Sequence, residues 1–282
     1  MAGCAAAPAA GTVVNALANG YGAAFAIDAH VRATVDLDDS GSVTGAVADA
    51  PDADTRLIER CVEIVVGRVG DGEGGRVRTE SDVPMAAGLK SSSAAANATV
   101  LATLSALDAA DAQDRVEACR LGVRAARDAG VTVTGAFDDA SASMLGGVTV
   151  TDNDDDKLLR RDERDWDVLV YTPAERAFSA DADVARCERV APVADVAADL
   201  AIEGDHRGAM GVNGLAFCAA LDYPTDPIVE ALPDAAASLS GTGPSYTAVG
   251  DRETLESLQE RWAEREGETW LTTTQRTGAT IE

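Results

Sequence analysis

Ser81-Asp-Val-Pro84-Met85-Ala86-Ala87-Gly88-Leu89-Lys90-Ser91-Ser92-Ser93-Ala94-Ala-Ala-Asn97 reads as a strand end, a loop of small residues and the first turns of an alanine-rich helix. A helix start presents unpaired backbone N–H groups and the positive end of the macrodipole, a combination suited to an anion. Gly88 lets the backbone approach a ligand closely, the alanines keep side chains away, and Lys90 adds a point charge suited to phosphate. Serines at a helix start are also ordinary caps. Glycine, lysine and three hydroxyls on one helix start favour a phosphate site. It is not a Walker A loop, because Leu89 separates Gly88 from Lys90.

The other segments frame this one. Residues 10–37 carry apolar and β-branched runs around Gly20-Tyr-Gly22, which predicts antiparallel strands, with a further strand within Gly41–Val47. Helical spacing covers Thr55–Val69, a short strand Arg76–Ser81, and helices Ser91–Leu107 and Asp114–Ala129, the first of them buried on most sides. Val131–Val150 reads as loop, short helix and strand. Its paired Asp138 and Asp139 would cap that helix or offer a carboxylate to the phosphate loop. The charged run 151–164 reads as a solvated loop and divides the chain into residues 1–155 and 156–282. Beyond it come a strand at Trp166–Thr172 and helices near Ala180–Ala185, Val193–Leu221 and Asp226–Leu232. An amphipathic helix over Leu255–Glu266 and a last strand at Trp270–Thr274 follow. Met210-Gly-Val-Asn213-Gly, small and polar inside the long helix, fits close packing against another backbone or a ligand contact. Gly241-Thr242-Gly243-Pro244 is a second glycine-rich turn, which with the first suggests two backbone-rich walls around an anionic ligand.

The formal net charge is −25, with acidic residues spread along the chain and only two lysines, Lys90 and Lys157. Such a surface repels nucleic acid and anionic membranes and suits a very salty interior. The chain has no apolar run long enough to span a bilayer and no basic leader, which predicts a cytoplasmic protein. Five cysteines without a CxxC pair predict reduced structural thiols, and the two histidines, His30 and His206, are too few for a histidine-rich metal centre.

Pro84, Gly88, Leu89, Ser91 and Ser92 match the second motif of the GHMP kinases, Pro-x-x-x-Gly-Leu-x-Ser-Ser-Ala. With Lys90 and the third serine, the loop resembles that of the archaeal shikimate kinases within that superfamily. Ala9-Ala-Gly-Thr-Val-Val-Asn-Ala, Thr134-Gly-Ala-Phe-Asp-Asp-Ala and Leu239-Ser-Gly-Thr-Gly-Pro extend the resemblance over most of the chain. It implies an α+β fold with a ribosomal-protein-S5-like N-terminal domain and a ferredoxin-like C-terminal domain. It also implies transfer of the ATP γ-phosphoryl group to the 3-hydroxyl of shikimate, on the route to chorismate. By the same resemblance, residues 84–94 would wrap the phosphates, Gly241, Thr242 and Gly243 would close the site, and Ser92 would bind Mg²⁺. Asp128 has about the offset of a second metal carboxylate, although a solvated helix-end aspartate explains it as well.

The superfamily's catalytic-base pattern is Gly-x-x-Asp with a serine four on and a glycine seven on. Counted from Ser143 and Gly146 it selects Asp139; counted from Gly135 it selects Asp138. Asp139 is favoured, with Asp138 close behind. An arginine should meet the shikimate carboxylate, and the sequence does not single one out. Rival readings are a GHMP kinase for homoserine, mevalonate or pantoate, or a nucleotide-binding regulator without turnover.

Overall fold

The computed structural model describes residues 1–48, 50–83, 87–132, 135–174 and 183–282. Two long strands, β1 (Ala2–Val14) and β2 (Tyr21–Asp38), form an antiparallel hairpin that runs the length of the first sheet. Their register shifts between Pro8 and Ala10, where proline has no N–H to give to the ladder. β3 (Val43–Val47), α1 (Arg56–Val69) and β4 (Gly74–Ser81) make a parallel crossover, and β4 pairs with the second half of β2. Helices α2 (Ser91–Ala106), α3 (Arg115–Ala129) and α4 (Phe137–Leu145) follow, then β5 (Val148–Asp152), which pairs with the first half of β2. One core joins this sheet to the helices through Val31, Val35, Leu57, Val65, Leu101 and Phe137. The alanine-rich α2 is buried on most sides, as its composition requires.

The charged run expected to be a solvated loop instead folds. Lys157–Asp162 forms β6, paired antiparallel with β5, so the first sheet extends past the division expected at 155/156. Its residues alternate between exposed and half-buried, the composition of a charged edge strand that resists pairing with another chain.

The second sheet is β10 (Gly267–Thr273), β7 (Asp167–Pro173), β9 (Tyr246–Gly250) and β8 (Ala236–Leu239), in that spatial order and all antiparallel. Around it lie α5 (Val184–Glu188), α6 (Ala191–Glu203), α7 (His206–Leu221), α8 (Asp226–Ala231) and α9 (Arg252–Trp262). The long helix expected over Val193–Leu221 is two helices. Gly204 takes a left-handed C-terminal position and the Asp205 side chain caps the next start through the Gly208 N–H. The last strand, β11 (Thr280–Ile281), returns to pair with β1. A second core lies between the sheets, where Val13, Phe25 and Val150 meet Val168, Ala201 and Met210.

Four of the five cysteines are buried, and none is bonded to another. Burial pushes the Cys187 thiol up to about 11 and Cys218 up to about 12, consistent with inert structural thiols. His206 is buried, with Nε2 2.7 Å from an Asp162 carboxylate oxygen. No helix among the described residues is long and apolar enough to cross a membrane.

A formal charge of −25 on this frame is self-repulsive, and the Debye length falls to about 3 Å at 1 M salt. The melting temperature is therefore expected to rise from low to multimolar KCl. Calorimetry across that range checks it, and an unchanged value would rule out charge repulsion as a limit on stability.

Candidate active site

The sequence around Gly88 folds as it does because Leu89 is an anchor. Its side chain is buried in the core between the two sheets, and its carbonyl accepts from the Ala10 N–H of β1 at 3.1 Å. Gly88 has φ +79°, and a Cβ placed there would lie 2.4 Å from the Ser240 carbonyl oxygen and 2.9 Å from that of Gly243. The two glycine-rich turns are thus in direct backbone contact, and the Ser240 hydroxyl seals it by donating to the Gly88 carbonyl at 2.8 Å.

Lys90 occupies the N-cap position of α2 in a left-handed conformation, φ 62°, and no side chain caps the helix. The serines expected as caps are instead its first three helical residues, and the first helical N–H taken internally is that of Ala94, by the Lys90 carbonyl. A left-handed lysine costs about 1–2 kcal/mol, a strain typical of ligand-binding turns. Its effect is to carry the ammonium across the cleft, where Nζ lies 2.8 Å from Oδ1 of Asp139. On its other side, a Cβ on Gly241 would lie 3.0 Å from the same nitrogen.

α4 begins in a similar way. Ala136 at its N-cap is left-handed, φ 51°, with no side-chain cap, so Asp138 and Asp139 sit within the first turn rather than capping it. The helical phase separates the two carboxylates. Asp138 is buried against Gly22, where a Cβ would come within 2.5 Å of its carboxylate. It accepts from Nδ2 of the buried Asn153 at 2.8 Å, and its N–H donates to Asn153 Oδ1 at 3.2 Å. Asp139 faces Lys90. Burial first, and the neighbouring Asp138 charge second, push its carboxyl up to about 7 against the pull of Lys90. A group poised there can hold or accept a proton near neutrality.

Both helix starts open into one cleft of about 750 Å³. Its lining gathers Asn15, Lys90, Asp139, Gly241 and Thr242 with the apolar Val47, Leu57, Ile58, Val123 and Val131 and the charged Asp52, Asp54, Arg56 and Glu80. Gly88, Ser91, Ser92 and Ser93 also line it, whereas Ala94 is buried inside α2 and Leu89 under the loop. Ala87 is buried, and Gly243 packs against Tyr223, so both support the turns rather than line the cleft. Pro84, Met85 and Ala86 lie outside the described residues. Asp128 does not reach the cleft; it pairs with Arg60 on α1 at 2.8 Å, the helix-end reading. Among the described lining residues the arginine is Arg56, tied to Asp54 at 2.6 Å.

The described residues hold no cluster of three or more histidine, cysteine or acidic side chains able to chelate a metal alone. The cleft's donors are hydroxyl and carboxylate oxygens, with the exposed Ser92 at the α2 start. That set fits a cation such as Mg²⁺, which keeps waters and takes most of its ligands from substrate phosphates.

The family model described as GHMP kinases N terminal domain matches residues 56–147, the segment holding both helix starts. The shikimate kinase of Halobacterium salinarum is 66% identical over 281 residues, 99% of each chain. The chain belongs to the GHMP kinase family. The shikimate kinase of Methanosarcina mazei is 50% identical over 256 residues, 90% of this chain and 87% of that one. Among solved structures, a homoserine kinase from Cytophaga hutchinsonii superposes with a TM-score of 0.76 at 16% identity, covering 100% of this chain and 97% of that one. A Methanococcus jannaschii mevalonate kinase gives 0.76 at 13% identity, with 96% and 98% covered. These two share the α+β GHMP kinase fold with this chain, in agreement with the expected fold class.

Reading the sequence marked Asn213 as a position of close packing or contact, which it is, but missed Thr12, Asn15 and Ser240, the other residues that tie the second turn of this GHMP kinase cleft. Asn15 Nδ2 donates to the Gly241 carbonyl and the Gly241 N–H to Thr12 Oγ1, both at 2.8 Å. The only advance signal was an asparagine between small residues in an apolar helix.

Proposed function

We propose that this GHMP kinase is a shikimate kinase, transferring the γ-phosphoryl group of ATP to the 3-hydroxyl of shikimate in the cytoplasmic route to chorismate. The observation that carries the chemistry is Lys90 and Asp139 paired 2.8 Å apart beside the uncapped start of α2. The acceptor rests on 66% identity along nearly the whole of a chain named as a shikimate kinase.

Phosphoryl transfer asks a protein for positioning and charge more than for covalent chemistry. In this reading the N–H groups of Ser91 to Ser93 and the dipole of α2 receive the phosphates, and Gly241 and Thr242 close over them, with Gly243 supporting the turn from behind. Lys90 turns from Asp139 to the incoming phosphate oxygens, which frees the carboxylate. Asp139 then accepts the shikimate hydroxyl proton as the new P–O bond forms. Asp138, held by Asn153, stands beside Asp139, and its charge is the second cause, after burial, of Asp139's raised proton affinity. Mg²⁺ would be held by Ser92 and phosphate oxygens, and would neutralise charge on the transferred group. The apolar lining residues Leu57, Ile58 and Val123 suit the nucleobase.

The test is ADP release with Mg²⁺-ATP at molar KCl against shikimate, homoserine, mevalonate and pantoate. Turnover with shikimate alone is the expected result. Turnover with another acceptor reassigns the substrate, and none with any acceptor favours a nucleotide-binding regulator.

A further inference from the structure

Asn213 lies in the middle of α7, fully buried, and no reacting group touches it. Gly214 beside it packs so tightly on β8 that a Cβ would come within 2.9 Å of the Ala237 carbonyl oxygen and 3.0 Å of Ser238 Cα. The helix is therefore pressed against the strand that leads into the second glycine-rich turn. Both ends of the Asn213 amide are engaged. Oδ1 accepts from the backbone N–H of Asn15 at 2.8 Å, across the boundary between the two sheets. Nδ2 donates to Ser238 Oγ, also at 2.8 Å.

Each partner leads to the cleft. Asn15 Nδ2 donates to the Gly241 carbonyl of the turn at 2.8 Å, while its Oδ1 accepts from the Leu17 N–H at 2.9 Å. Ser238 stands two residues before Ser240, whose hydroxyl reaches the Gly88 carbonyl of the other wall. Further along the chain from Asn213, Tyr223 lies against Gly243, where a Cβ would fall 2.6 Å from its ring. α7 and Tyr223, two residues past its end, therefore hold the turn from behind at both ends.

We infer that Asn213 is a positioning residue: through Asn15 and Ser238 it fixes the Gly241–Gly243 turn at the separation from Gly88–Ser92 that phosphoryl transfer needs. The amide is suited to this because it is uncharged and presents one acceptor and one donor at fixed spacing. Lost, it leaves the buried Asn15 N–H without its side-chain partner and removes the amide bridge between α7 and the strand and turn it backs. A misplacement of about 1 Å at reacting groups costs roughly 100-fold in rate. Leu57, Ile58 and Val123, the apolar lining residues on α1 and α3, make no bond to this link, so nucleotide affinity should change less than turnover.

The inference rests on the kinase reading, and its test separates the two. Wild-type protein without turnover on any acceptor ends the kinase reading itself. Given wild-type turnover, Asn213→Ala is expected to lower kcat by about 10- to 100-fold while KM for ATP stays within about threefold. Amide exchange at Gly241–Gly243 should quicken selectively. Leu258→Ala, in the buried core under α9, a helix that lines no part of the cleft, is the stability control; at temperatures below both melts it should keep kcat at a similar loss of melting temperature. Should Asn213→Ala fail to fold, Ser238→Ala cuts only one of the two links and is expected to show the same split in smaller measure. An unchanged kcat overturns the inference. So does a fall that follows the folded fraction, or a KM for ATP that rises as far as kcat falls.

Discussion

Asp139→Asn is expected to lower kcat by about 10²- to 10⁴-fold, the usual contribution of a general base, with ATP affinity nearly unchanged. Asparagine keeps the shape of the side chain and an oxygen for Lys90 Nζ, now 2.8 Å from Oδ1, but cannot take up a proton. Asp138→Asn should be far milder, because asparagine still offers Asn153 Nδ2 the oxygen it now bonds at 2.8 Å. The pH dependence gives an independent reading. Asp139 works as a base only when deprotonated, and its carboxyl is pushed up to about 7 by burial and by Asp138. Hence kcat/KM should climb as pH rises through about 7 and level off above it. Removing the Asp138 charge should move that limb to lower pH. Near-normal turnover in Asp139→Asn, or a flat profile from pH 5 to 9, would reject the assignment.

Gly88→Ala is the second large effect. Its φ of +79° already disfavours a side chain, by about 1–2 kcal/mol. The contact matters more, since a methyl group there would sit 2.4 Å from the Ser240 carbonyl oxygen and 2.9 Å from that of Gly243. Both neighbours are backbone, so relief requires the two glycine-rich turns to part. A shift of that kind is expected to cost about 100-fold in kcat/KM for ATP. Gly72→Ala supplies the comparison, with φ +97° and nothing within 4 Å of the added carbon. It bears similar backbone strain in open space and should leave catalysis intact. Steady-state kinetics on the pair decide whether contact or strain is responsible; equal losses would mean strain alone.

Much of this site was legible because its parts are local. Gly88, Lys90 and the serines lie within a few residues of one another, and the alanines, leucines and valine that follow Ser93 without glycine or proline read as a buried helix. The choice between Asp138 and Asp139 was not settled by composition, since it depends on the phase of α4, set by the left-handed Ala136 at its start. The Lys90–Asp139 pair joins two helices, and the Asn15–Asn213 bond spans 198 residues; neither leaves a local pattern. Strand β1 begins at Ala2, where alanines carry little β signal, because β2 and β11 flank it on both sides. The hairpin of β5 and β6 was hidden by charge, since an edge strand is built from the residue types that fill loops.

Scarcity of lysine gives the cleft a chemical address. The chain has two lysine side-chain amines, one exposed on β6 at Lys157 and one nearly enclosed at Lys90, 8% exposed. An acylating reagent thus meets one amine that reports open surface and one that reports the state of the phosphate loop. Their ratio of labelling within a single molecule becomes an internal gauge of cleft occupancy, needing neither a radiolabel nor a coupled enzyme that tolerates molar salt.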